Sequence, residues 1–395
     1  MNPLRILHVT RELPGDAIYG IRKSLIPVMK ALRDRGHEVI LLDQEAAGKL
    51  PQPLIDRTLE KIVFLYLRLR AGIACPTTRT FLIERVRMGR IAAAYAKQEN
   101  IKIVHFHDPL LAYAFRIFAF FFRTKCQWGY TAHAYGRFVK NHIGICIAPD
   151  VLSRLQKWED IICRKAGWVI IPSRSGREQL ARETGMDAGL PNWNTIPHIV
   201  PEISGDRDKA RKMLGLKPDD ILLLAAGQLI PMKRFHLLVE ALALVQSPKS
   251  IMALVLGNGE EKENLRTLAE RLKIRHALEF RVADSIGDYL SAADLYVSVS
   301  ATEAFGMANC EALKAGLPAI CTSGGAVPEL LGDAFILTSG EPAEIARKID
   351  ELIEHPELRA EFTHRAKIRS AGWPGDSYIV NELEKVYHKA ITIHH

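Results

Sequence analysis

Asp294-Leu-Tyr-Val-Ser-Val-Ser300, then Thr302-Glu303-Ala-Phe-Gly306, then Gly316-Leu-Pro-Ala-Ile-Cys-Thr-Ser-Gly-Gly325, decide how this chain reads. The first is an apolar strand pattern and the second a turn, and an apolar helix carrying Glu311 joins them to the third. Gly306 lets a ligand approach the backbone closely. The N–H groups at the start of the helix favour an anion there. Glu311 falls about two turns after Glu303, on its face if the helix begins near it. Carboxylates do not suit bare phosphate, but they accept hydrogen bonds from sugar hydroxyls. Phosphate with hydroxyls on both sides describes a nucleotide-sugar. Two glutamates eight residues apart also fit a solvated helix face. The small apolar neighbours Ala304, Met307, Ala308, Ala312, Leu313 and Ala315 weigh against that, because carboxylates are rarely buried without partners.

Outward from this stretch, apolar β-branched runs alternate with helical patterns, which argues for parallel sheets of βα units. Strands are expected near 5–9, 38–42, 103–107, 127–131 and 168–171, then near 221–226, 251–256, 278–282, 295–300, 319–321 and 334–336. Helices are expected at 24–35, 235–246, 261–272, 286–292, 309–315 and 376–390. The pattern resets around 194–208, where Pro197, Pro201 and Gly205 mark a connector. The fold class is therefore α/β, with two Rossmann-like domains: 1–200, 201–375, and a last helix in 376–395.

A chain of 395 residues with 48% apolar and 25% charged content has the composition of a soluble two-domain protein. Its opening residues run from a charged edge into a strand, with no signal-peptide core. Six cysteines, at 75, 126, 146, 163, 310 and 321, show no CxxC spacing. They read as reduced, buried thiols of a cytoplasmic protein. Through residue 190 there are 30 Lys and Arg against 17 Asp and Glu, or +13, while the remainder has 23 against 28, or −5. The first half thus presents a positive field. No nucleic-acid motif accompanies it, so an anionic membrane surface or a phosphate-bearing acceptor is the expected partner. The run 110–122 is aromatic but broken by Arg116, and it reads as a packed helix or, more sharply, as one with a membrane-facing side.

Further charged or glycine-rich turns stand where open α/β sheets bind ligands, at the carboxyl ends of strands. They are the loop 10–20 with Gly20, His105-Phe-His107-Asp108, Tyr130-Thr-Ala-His133, Gly227-Gln228 through Lys233-Arg234, and Gly257-Asn-Gly259. Two histidines two apart share a strand face, but no third ligand is spaced to complete a metal site.

Glu303-Ala-Phe-Gly-Met-Ala-Asn-Cys-Glu311-Ala-Leu-Lys-Ala-Gly-Leu-Pro318 resembles the Glu-x7-Glu mark of the retaining GT-B glycosyltransferases of family 4. The resemblance covers nearly the whole chain and is weakest at 45–100. It implies two parallel sheets facing each other across a cleft, with the last helix crossing back to the first domain. Residue by residue, it implies that Glu303 holds the donor sugar and Glu311 the ribose, that Lys233 grips the diphosphate, and that Phe305, Gly306 and Met307 line the turn. His133 matches a Thr-x-His whose histidine hydrogen-bonds the sugar. Gly257 and Gly259 line the nucleotide, Phe280 and Arg281 lie in the stretch that holds the base, and Ser173 and Arg174 resemble a structural motif. Three departures stand out. Gln228 replaces an arginine, Arg234 replaces a glycine, and in Tyr19-Gly20-Ile21-Arg22 only Gly20 carries over from a glycine pair.

The resemblance implies a retaining, metal-independent hexosyltransferase with no cofactor. The donor is a UDP- or GDP-sugar and the acceptor a glycan or glycolipid of cell-envelope polysaccharide or lipopolysaccharide-type synthesis. Attachment to the inner membrane face through the basic first domain is the accompanying expectation. A nucleotide-sugar epimerase on the same scaffold, and a nucleotide-sugar-binding protein that has lost transfer, are the alternatives.

Overall fold

The computed structural model describes residues 3–12, 21–50, 57–143, 147–247, 249–274, 277–283 and 285–392. The chain divides into two compact units. One holds Met1–Asp16, Leu25–His198 and Gly375–His395, the other Ala17–Ser24 and Ile199–Pro374.

The first unit is built on β1 (Arg5–Val9), β2 (Glu38–Leu42), β3 (Ile103–Phe106), β4 (Gln127–Thr131), β5 (Val169–Ile171) and β6 (Trp193–Thr195). These pair in the order β2-β1-β3-β4-β5-β6, and every pairing is parallel. The strands are short, and β1, β3 and β5 are almost wholly buried, as expected where helices cover both faces. Helices Arg57–Ala71 and Pro76–Gln98 fill the stretch between β2 and β3, where the sequence pattern was least informative. Helix Pro109–Phe122 starts cleanly because Asp108 accepts from the amides of Leu110 and Leu111, and Pro109 needs no donor partner at that position. Its inner face buries Leu111, Phe115 and Phe118, while Phe120 and Phe121 remain exposed. Ser173 caps the helix Arg174–Thr184 through Gly176 N, a structural role. The last helix, Asp376–Thr392, sends Tyr387 into this unit's core against Trp168 and His105.

The second unit holds β7 (Ile221–Ala226), β8 (Ile251–Leu256), β9 (Leu278–Arg281), β10 (Leu295–Ser298), β11 (Ala319–Thr322) and β12 (Ile336–Thr338). Their order is β12-β11-β10-β7-β8-β9, again all parallel. Counted within the unit this is 3-2-1-4-5-6, the order of dinucleotide-binding sheets, with its reversal between β7 and β10. Two helices that the sequence pattern did not mark, Pro342–Glu354 and Pro356–Ala371, complete the unit.

Two expectations need correction. The helix after β10 begins at Met307, so Glu303 lies before it and shares no helical face with Glu311. A glycine in the left-handed conformation at 306 (φ 71°) delays the start. The cysteines are not uniformly buried: Cys163, Cys310 and Cys321 are, but Cys126 is half-buried and Cys75 is exposed where it precedes helix Pro76–Gln98. All five are free thiols, and Cys146 lies outside the described residues.

Candidate functional site

The reversal point of the second sheet gathers most of the candidate residues. β7 ends at Ala226, and Gly227 through Arg234 form a loop closed by a short turn, Pro231–Lys233. This loop is tied down on two sides by its main chain. Leu229 N donates to Asn258 O (2.9 Å) and Glu261 N to Leu229 O (2.9 Å), while Ala301 N donates to Met232 O (2.9 Å). Gly257 is required by that packing, because a Cβ there would stand 2.1 Å from Gly227 O. Gly259 presses on the Leu229 backbone in the same way.

The loop presents Lys233 to the turn after β10. Its Nζ lies 2.5 Å from Glu303 Oε1, with the two side chains 18% and 12% exposed. Glu303 is fixed from behind. It bridges in parallel to Gly325, and Ala326 N donates to Glu303 O at 2.8 Å. The Ser323-Gly-Gly325 turn is thereby explained: side chains at Gly324 or Gly325 would strike the carbonyls of Ala301 and Glu303 at 2.3 and 2.2 Å. A cation and a carboxylate so held, both reachable by solvent, form a pair that an anionic ligand can prise apart.

Glu311 is 2% exposed on helix Met307–Lys314. Its partner is Lys23, from the segment that groups with this unit, with Nζ 2.5 Å from Oε2. Burial raises the Glu311 carboxyl above its ordinary range, and Lys23 opposes that shift. Phe305 and Gly306 are buried and Met307 is half-buried around the same turn. Asn309 accepts from Tyr296 Oη (3.1 Å), while its buried Nδ2 has no partner among the described residues. Thr302 Oγ1 is buried and unpartnered in the same sense. Lys23, Asn309 and Thr302 were not singled out from sequence. Their only signal is position beside a glycine turn or an unread helix start.

Other candidates fall elsewhere. Gln228 is exposed. Arg234, in the left-handed region at φ 50°, turns its guanidinium to the carbonyls of Val299 (2.8 Å) and Ser300 (3.1 Å), so its charge serves the loop first. Phe280 packs on the unit's apolar core, and Arg281 pairs with Glu279 on the opposite strand face. Gly20 lies outside the described residues.

In the first unit the reversal point lies between β1 and β3, and histidines crowd it. His8 stands opposite His105 in register. His105 and His107 stack at 5.0 Å with nearly parallel rings, which confirms their common face. His133 follows β4, half-buried, tilted against His107 (5.1 Å) and stacked on His198 (5.3 Å). Burial lowers His8 to about 3, and it carries His105 and His107 well below the usual imidazole range. Asp108 points away from this row to the fully buried Arg85, 2.8 Å between Oδ2 and Nη2. Among the described residues, no three His, Cys, Asp or Glu are grouped so as to hold a metal ion.

Comparison with known proteins places both units. Residues 206–369 match the family described as Glycosyl transferases group 1, and residues 19–198 match Glycosyltransferase Family 4. D-inositol 3-phosphate glycosyltransferase 2 of Catenulispora acidiphila is 25% identical over 385 residues, 91% of this chain and 88% of that one. The D-inositol 3-phosphate glycosyltransferase of Streptomyces avermitilis is 31% identical over 204 residues, 48% of this chain and 44% of its own. Among solved structures, sucrose-phosphate synthase from Thermosynechococcus elongatus superposes with a TM-score of 0.79 at 17% identity, over 99% of this chain and 100% of the other. Anabaena HepE, solved with UDP and glucose, gives 0.72 at 20% identity over 97% and 98%. At these identities the structural likeness establishes the GT-B fold.

Proposed function

The chain belongs to the group 1, family 4 glycosyltransferases, and we propose that it transfers a sugar from a UDP- or GDP-sugar, with retention, to a glycan or lipid-linked acceptor. The observation that carries this is the Lys233–Glu303 pair, held at the reversal point of a dinucleotide-type sheet.

In the proposed reaction a diphosphate takes Lys233 from Glu303, and the freed carboxylate accepts hydrogen bonds from hydroxyls of the transferred sugar. Glu311 exchanges Lys23 for the ribose hydroxyls. The bond between the anomeric carbon and the phosphate oxygen breaks with its electron pair going to the diphosphate, where Lys233 stabilises the developing charge. The acceptor oxygen bonds the same carbon from the same face, and its proton passes to the departing phosphate oxygen. His133 hydrogen-bonds the sugar. No metal takes part.

The acceptor reading draws on charge. The first half carries +13, which suits a phosphate-bearing acceptor or an anionic bilayer, and one relative is named for an inositol phosphate. In the first unit the helix Arg57–Ala71 exposes Ile62, Leu65, Tyr66 and Leu69 beside Arg68 and Arg70. No helix among the described residues is long and apolar enough to cross a membrane, so peripheral attachment is the form this proposal takes. Binding to anionic vesicles that weakens steeply with salt supports it, and salt-insensitive binding or none removes it. Envelope polysaccharide synthesis is the proposed setting.

The test of the enzyme reading is a thermal-shift screen of UDP-, GDP- and ADP-sugars, followed by turnover with EDTA present. The anomeric configuration of the product is then read by NMR. Glu303→Ala that keeps full turnover overturns the proposed role, and inversion overturns the mechanism. The exposed Gln228, unable to supply charge, favours a second reading, a nucleotide-sugar binder without transfer. Tight donor binding with no turnover across a broad acceptor panel decides for it.

A further inference from the structure

Strand β1 and the segments just after β3 and β4 bring His8, His107 and His133 into a single hydrogen-bonded line. His8 Nδ1 lies 3.0 Å from His107 Nε2, and His107 Nδ1 lies 2.9 Å from His133 Nε2. The rings bridge one another through successive nitrogens instead of converging on one point, so the arrangement suits shared protons and not a metal ion. His105 stands outside the line. Its nitrogens meet Tyr387 Oη at 2.6 Å and Thr131 Oγ1 at 2.8 Å. The line runs inward from the half-buried His133, since His107 is 4% and His8 1% exposed.

Each N···N contact holds one proton, and a neutral ring has one proton to give. The two bonds must therefore run in the same sense, either inward from His133 or outward from His8. The inner end decides which. His8 Nε2 is buried and has no partner among the described residues. Inward bonds would make it an N–H with no acceptor among the described residues. Outward bonds leave it a bare lone pair, the lesser cost of the two, since orphaned buried donors are rarer than under-satisfied acceptors.

We propose that His8 and His107 are positioning residues that force His133 Nε2 to accept a hydrogen bond, so that the one ring proton of His133 sits on Nδ1. Whatever group His133 Nδ1 faces, it then faces a proton donor, and His133 does not serve as a general base. The two inner rings stay neutral at ordinary pH, because burial is the largest influence lowering both. Arg33 adds to it at His8, and His105, His133, His8 and His198 add to it at His107. The tautomer stands independently of the enzyme reading. Its consequence, a donor hydrogen bond to a sugar oxygen, rests on that reading.

The experiment is two-bond 15N–1H correlation NMR on the full chain with 15N-labelled histidine at about pH 7, where an unperturbed ring is mostly neutral. Resonances are assigned with His8→Gln, His107→Phe and His133→Gln. The expected spectrum shows His133 with Nε2 unprotonated and Nδ1 protonated, and in His107→Phe the Nε2–H form appears. A parent spectrum with Nε2–H on His133, or one unchanged by His107→Phe, overturns the proposal. Should His107→Phe fail to fold, the parent spectrum alone decides. With donor and acceptor supplied, His107→Phe is expected to lower kcat about tenfold, with an ionisation near the ordinary histidine value entering the pH profile. The expected tautomer with kcat and profile unmoved overturns the sugar contact.

Discussion

Replacing Gly257 by alanine tests the packing that presents Lys233, and the structure supplies the magnitude. The new methyl carbon would stand 2.1 Å from Gly227 O and 3.1 Å from Leu229 Cδ2. Carbon and carbonyl oxygen approach no closer than about 3.3 Å, so one backbone must yield by about 1 Å. Overpacking of this kind costs about 1–3 kcal/mol, and in a unit of this size each kcal/mol lowers Tm by about 2–4 °C. The loop from Gly227 to Lys233 is also what moves, and a misplacement of about 1 Å at a reacting centre can cost about a hundredfold in rate. The assays are thermal unfolding followed by circular dichroism, and donor turnover in the folded protein. Gly375→Ala is the control, since nothing lies within 4 Å of its added carbon and its φ is ordinary. A Gly257→Ala protein that melts with the control and turns over normally would refute the argument that this turn is shaped by contact with Gly227.

Lys233→Met removes the cation and leaves Glu303 partly buried without it. Donor affinity is expected to fall at least about tenfold by titration calorimetry, with the fold kept. Arg85→Met leaves the buried Asp108 with the longer contact to Arg11 (4.0 Å) and its two amide donors. Removing one partner of a buried pair costs about 3–5 kcal/mol, and the loss here is expected at or below the lower end of that range, measurable as a lowered urea midpoint. Glu159 is buried, and its carboxyl is raised to about 7 by burial against opposing amide bonds from Phe138 and Val139. Its folded pKa exceeds its unfolded value, so the folded state holds the extra proton and this group's contribution to stability falls as pH rises from the ordinary glutamate value toward about 7. His8, His105 and His107 are lowered instead, so their contribution is lost as pH falls below the ordinary histidine value. Glu159→Gln is therefore expected to steepen the acid-side loss of urea stability by the equivalent of about one proton, about 1.4 kcal/mol per pH unit at most. An unchanged slope refutes the assignment.

Much of this fold is legible because parallel strands covered on both faces must be apolar throughout, as in Ile221–Ala226 and Ile251–Leu256. The Glu303, Gly306 and Glu311 turn was visible for a similar reason: carboxylates and glycines stand out against an apolar helix. What escaped depends on contacts between distant residues. His8 is an ordinary strand residue until β1 pairs with β3 and sets it against His105. The glycines of Ser323-Gly-Gly325 are plain in the sequence, but only the bridge to Glu303 shows what they pack against. Helix Pro342–Glu354 was missed although its signal is local. Its buried Ile345, Ile349 and Leu352 follow helical spacing, yet no cap hydrogen bond from a side chain marks its start.

The first unit is discontinuous, since Tyr387 and Glu384 of the last helix fill its core and bind His105 and His37. A nascent chain therefore cannot finish that unit until translation has passed through the entire second one. The second unit, whose chain is nearly contiguous, can consolidate on the ribosome while the first waits with Trp168 uncovered. A gene cut after residue 200 should accordingly yield an aggregation-prone fragment, and supplying the last helix as a separate peptide should rescue it.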